Sequence, residues 1–129
     1  MKRAEPLKIL SREHHQALVL SMRLSKAVTQ QEDWQSLWRE TREQSEDLLA
    51  HFAIEEERLL PLMTENQPLV EQLLEEHRVM RQLLTDPGRT AAEAFAERLK
   101  EHVRFEEREL FPWLEQRYPE AVLREAMLH

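Results

Sequence analysis

His51 and His102 are each followed four residues later by glutamate, in His51-Phe-Ala-Ile-Glu55 and His102-Val-Arg-Phe-Glu106, and two further histidines, His14 and His77, each follow a glutamate directly. Residues at i and i+4 of a helix lie on one face one turn apart, so a single helix can offer a ring nitrogen together with a carboxylate able to bridge two ions. The chain has no cysteine. That excludes thiolate chemistry, iron–sulfur clusters and cysteine-based zinc sites, and leaves His, Asp and Glu as the available ligands. Nitrogen and oxygen donors with open positions suit iron or manganese better than structural zinc.

Long helices must position these groups. With 129 residues and a single glycine, the chain lacks the material for the tight turns of a sandwich or the glycine-rich loops of nucleotide-binding folds, whereas Leu, Glu, Arg, Gln and Ala favour helix. Pro6, the polar stretch Thr29 to Asp33, Asn66-Gln67-Pro68 and Asp86-Pro87-Gly88 punctuate it. Helices over about 6–29, 33–65, 68–85 and 90–116 follow, with a short fifth helix from Glu120 to Leu128 after Pro119. The fold expected is all-α, one domain over 1–129, an up-down-up-down four-helix bundle.

The apolar stripes each contain one histidine. They run Leu7, Leu10, His14, Ala17 with Leu18, Ser21, Leu24, Val28; Leu48, His51, Glu55, Leu59, Leu62; Val70, Leu73, His77, Met80, Leu84; and Phe95, Leu99, His102, Glu106, Leu110, Trp113. At 1.5 Å per residue the distances of the histidines from their shared loops agree to roughly one turn, so all four can share one layer. Of the pair His14-His15 only one can point straight inward. The stripe favours His14, and His15 stands as the alternative. HFAIEEERLLPLM from His51 repeats as HVRFEERELFPWL from His102, and the prolines of both copies, Pro61 and Pro112, should kink or end their helices. Four imidazoles and two carboxylates left unpaired in an apolar interior would each cost several kcal/mol, and a metal centre is the natural compensator.

The ordered set Glu13-His14, His51…Glu55, Glu76-His77 and His102…Glu106 followed by Leu110-Phe111-Pro112 resembles the hemerythrin-like, or HHE cation-binding, family over nearly the whole chain. The resemblance implies a non-haem di-iron centre of two iron ions with an oxo or hydroxo bridge, manganese or zinc being the lesser alternatives. It makes Glu55 and Glu106 bridging carboxylates and the histidines terminal ligands, with an open position for dioxygen, nitric oxide or peroxide. Oxygen-carrying relatives have a further histidine where this chain has Leu73, and an aspartate five residues after the last histidine where this chain has Glu106 at four. One nitrogen fewer implies a more open centre than an oxygen carrier's.

Function follows as a di-iron protein that binds or senses a small diatomic ligand or handles iron. An enzyme such as a peroxidase or NO reductase, or a metal-free helical adaptor, is the alternative. A ferritin-like ferroxidase would need Glu-x-x-His, which does not occur. The net charge of −7 disfavours nucleic acid as a partner. No apolar run of about 18 residues suggests a membrane span or signal core, and a cytoplasmic location is expected.

Overall fold

Pro6 sets the chain into a 3-10 turn, Glu5–Leu7, that feeds helix α1, Lys8–Thr29; fixed φ and a missing N–H suit proline to a first turn. This computed structural model describes residues 3–128, and no strand occurs among them. After α1 the chain reverses through a loop in which Gln31 takes a φ of 55°. Asp33 then caps α2, Trp34–Glu43, by accepting the Ser36 N–H at 3.2 Å.

The single helix predicted over 33–65 is interrupted. Gln44 and Ser45 form a turn, and the Ser45 hydroxyl donates at 3.0 Å to the Arg42 carbonyl, the acceptor that an unbroken helix would offer to Glu46. The chain restarts as α3, Glu46–Ile54. It then widens into a π-helical turn, Glu55–Leu59, and tightens into a 3-10 turn, Leu60–Leu62. Asn66 caps α4, Gln67–Leu83, by accepting the Leu69 N–H at 3.3 Å. Asp86 accepts the Gly88 N–H at 2.8 Å just ahead of α5, Arg89–Phe105.

α5 likewise opens into a π-helical turn, Glu106–Leu110, and continues as α6, Phe111–Arg117. Both π turns begin on the glutamate of a His-x-x-x-Glu pair, six residues before a proline. The first copy ends at its proline turn. The second stays helical through Pro112, because the wider turn passes its bonds to a longer step: the Phe111 N–H donates to the Glu106 carbonyl five residues back.

The extra residue in each π turn also advances the buried face by one position. Leu62 and Trp113, placed inward by regular periodicity, are only half-buried, while Met63 and Leu114 are fully buried. In α1, Leu18 is exposed and the neighbouring Ala17 is the half-buried member of the pair. The fifth helix is present as α7, Glu120–Leu128, and packs against the first 3-10 turn and the first π turn, with Leu123 buried.

Two apolar clusters result. One contains Leu24, Trp38, Phe52, Met80, Phe95 and Leu99; the other contains Leu10, Leu59, Leu73, Phe105, Leu110 and Phe111. Each histidine-bearing helix crosses from one cluster to the other, and its histidine or glutamate falls in between: Leu10, His14, Leu24 in α1; Phe52, Glu55, Leu59 in α3 and its π turn; Leu73, His77, Met80 in α4; Leu99, His102, Phe105 in α5. The bundle is a polar layer held between two dry ones. No helix among the described residues is long and apolar enough to cross a membrane.

Candidate metal centre

His14, His51, Glu55, His77, His102 and Glu106 are all buried and converge in that layer. Their ligand atoms form two groups, His14, His51, Glu55 and Glu106 in one and Glu55, His77, His102 and Glu106 in the other; within each, the atoms lie no more than 4.8 Å apart. Donors each about 2.1 Å from one octahedral ion stand about 3 Å from one another. The observed separations bracket that value. His14 Nε2 is 2.6 Å from Glu106 Oε1, His51 Nε2 is 3.2 Å from Glu55 Oε2, His77 Nε2 is 3.0 Å from Glu55 Oε1 and His102 Nε2 is 3.3 Å from Glu106 Oε1. His15, one residue along α1, faces solvent and belongs to neither group.

Behind each imidazole stands a second carboxylate. His51 Nδ1 donates to Glu13 at 3.0 Å, His77 Nδ1 to Glu56 at 2.6 Å, His102 Nδ1 to Glu76 at 2.6 Å and His14 Nδ1 to Glu107 at 2.6 Å. The pattern closes on itself. α1 supplies the carboxylate for the histidine of α3, the π turn after α3 serves α4, α4 serves α5, and the π turn after α5 serves α1. A carboxylate on Nδ1 fixes the ring's orientation and turns Nε2 inward as the ligating atom. Regular spacing could raise Glu56 and Glu107 as such partners, since each follows an inward glutamate. Glu13 and Glu76 escape that reasoning because neither follows an inward glutamate; their repeated Glu-His pairing was the available signal.

Among the described residues, four inward atoms have no hydrogen-bond partner: His51 Nε2, Glu55 Oε2, His102 Nε2 and Glu106 Oε2. Each such group buried without a partner costs about 1–3 kcal/mol. They are donors of the type a mid-hard cation takes, and they lie together, so the residues present fit a bound metal.

Protons do part of that work where no cation is bound. Burial opposes a charge on His14, yet hydrogen bonds to Glu106 and Glu107, with the Glu55 carboxylate 3.8 Å away, outweigh it and raise its pKa to about 11. The adjacent Glu106 and Glu55 carboxylates likewise outweigh burial at His51, raising it to about 10, and at His102, lifting it well above the ordinary histidine value. Burial by itself would raise Glu55; its close contacts with Glu106 and with the His102, His14 and His51 rings instead hold it well below the usual carboxylate range. Glu106 is lowered too, against burial and the nearby Glu55 charge, with His102 as its principal support. The layer thus holds positive charge tightly between two carboxylates.

A cavity of about 170 Å³ reaches the layer between α1 and α3, with α5 behind it, and touches His14, His51 and His102. Gln44 at the unforeseen break between α2 and α3 lies on its rim. On the other side, the Leu73 position is fully buried within an apolar cluster that includes Leu59, Phe105 and Leu110.

Residues 5–114 match the hemerythrin HHE cation binding domain family. No curated protein and no solved structure matches the chain.

Proposed function

The chain belongs to the hemerythrin HHE cation-binding domain family, and on that premise we propose that it is a single-domain non-haem di-iron protein that binds a small diatomic ligand, dioxygen or nitric oxide, or handles iron itself. The observation that carries this reading is the sharing of Glu55 and Glu106 by both ligand groups. A carboxylate common to two adjacent sets of nitrogen donors serves two ions at once, and one ion would leave half of the imidazoles without a partner. His14 and His51 would hold one iron, His77 and His102 the other, with the two glutamates between them. The order of the outer carboxylates, α1 to α3 to α4 to α5 and back, supports an up-down-up-down bundle around the pair.

Bound iron would supply the ligand-binding and redox chemistry that these side chains lack. The chain's own contribution is to aim four Nε2 atoms inward, to hold each Nδ1 proton on an outer carboxylate, and to keep bulk water out with the apolar clusters on either side. The cavity beside His14, His51 and His102 has room for a diatomic molecule. Titration of the anaerobic ferrous protein with nitric oxide, and separately with dioxygen, tests the ligand class. A saturable change in the optical spectrum is expected with at least one of the gases. An iron-loaded protein that responds to neither would restrict the function to iron handling.

A further inference from the structure

The ring of outer carboxylates has one weak corner. Glu13 sits 3.0 Å from its histidine while the other three stand at 2.6 Å, and its side chain is 42% exposed against 20–29% for Glu76, Glu56 and Glu107. That corner coincides with the cavity between α1 and α3, whose floor includes His51 and His102, both more than nine-tenths buried and both with an unpartnered Nε2. The polar residues at the rim are Glu13, Gln16, Gln44 and Asp47, all oxygen donors, and among the described residues no lysine or arginine lines the cavity. Asp47 is exposed and is not one of the six converging ligand residues.

A neutral diatomic gas gains nothing from a carboxylate rim. A divalent cation does: it is drawn to an acidic mouth, and carboxylate and amide oxygens can replace its waters one at a time as it sheds them. We propose that this mouth is a metal-loading port, in which Asp47 and Glu13 capture hydrated ferrous iron and pass it to the inward nitrogen of His51. Glu13 is placed for both tasks, because it lines the cavity while holding His51 Nδ1. The port rests on the di-iron reading and adds to it the direction from which iron arrives.

The test is stopped-flow uptake of anaerobic ferrous iron by the full-length apoprotein, followed as loss of absorbance from a weak chromophoric chelator. Asp47→Asn changes the mouth while leaving all six ligand residues in place, Glu13→Gln changes the corner itself, and Glu57→Gln removes the same charge from an exposed site outside the cavity. At low salt Asp47→Asn and Glu13→Gln should each slow uptake by roughly threefold and together by about tenfold, Glu57→Gln should load at the wild-type rate, and the differences should shrink as salt screens the mouth. The final iron content of Asp47→Asn should equal that of the wild type. Wild-type rates in both port variants, or equal slowing by Glu57→Gln, would overturn the port and leave the di-iron reading intact. A wild-type apoprotein that takes up no iron would overturn the di-iron reading and the port with it.

Discussion

The two copies of the His-x-x-x-Glu repeat share a sequence pattern and a π turn, yet they are packed differently. His102 forms part of the cavity floor, but its outer side is closed: its outer partner Glu76 is largely buried at 2.6 Å, and the helix runs on past Pro112 to bury Leu114. Around His51 it is open: its outer partner Glu13 is more exposed at 3.0 Å, a cavity lies alongside, and the helix stops soon after Pro61. One half anchors the ligand layer and the other gives access to it. The same motif can serve both purposes because the inward atoms are set by the helix and the π turn, while accessibility is set by what packs outside them.

The largest expected effect erases the difference between the halves. Glu55→Ala or Glu106→Ala should reduce bound iron to below one per chain by metal analysis, since each carboxylate belongs to both groups, whereas the exposed Glu57→Ala should retain full occupancy. Chelation of the wild type comes next. With the layer emptied, far-ultraviolet circular dichroism should stay helical, because both apolar clusters persist, but stability should fall by about 3–4 kcal/mol relative to protein with metal at a hundredfold to thousandfold excess over Kd. Amide exchange should accelerate first around His51.

Leu73→His acts on the closed side, where α4 can place an imidazole one turn before His77. The apoprotein should lose about 2 kcal/mol by denaturant unfolding, since a polar ring replaces a fully buried leucine, and the metal-loaded form should lose less as the ring gains a ligand role. The smallest contrast separates the corners of the ring. Glu76→Gln should destabilise the protein by about 1–2 kcal/mol and Glu13→Gln by less than about 1 kcal/mol in thermal melts, because a solvated partner contributes less than a buried one. Equal losses would mean that the two halves are held alike.

Much of this was legible in the residues themselves. The punctuation at Pro6, Asp33, Asn66 and Gly88 marks real helix starts, because caps and proline act locally. The six inward ligand candidates follow from periodicity up to the glutamates. Beyond Glu55 and Glu106 periodicity fails: the π turns insert a residue, and Met63 and Leu114 take the positions assigned to Leu62 and Trp113. A proline six residues after each glutamate was the only local hint. The break at Gln44 and Ser45 depends on a single hydroxyl competing for the Arg42 carbonyl, which a strong helical pattern conceals. Half of the outer ring, Glu13 and Glu76, was hidden for a different reason, since its bonds cross between helices and depend on rotations that a one-dimensional pattern does not carry.

The proposed sharing of Glu55 and Glu106 between two ions is tested most directly by Mössbauer spectroscopy of anaerobically reconstituted, then oxidised protein enriched in iron-57, with the iron counted on the same sample. Two irons per chain with a magnetically coupled, diamagnetic ground state are expected, because ions held by common carboxylates interact. One iron per chain, a tightly held zinc in its place, or two irons that behave as isolated high-spin ions would contradict the shared-carboxylate centre.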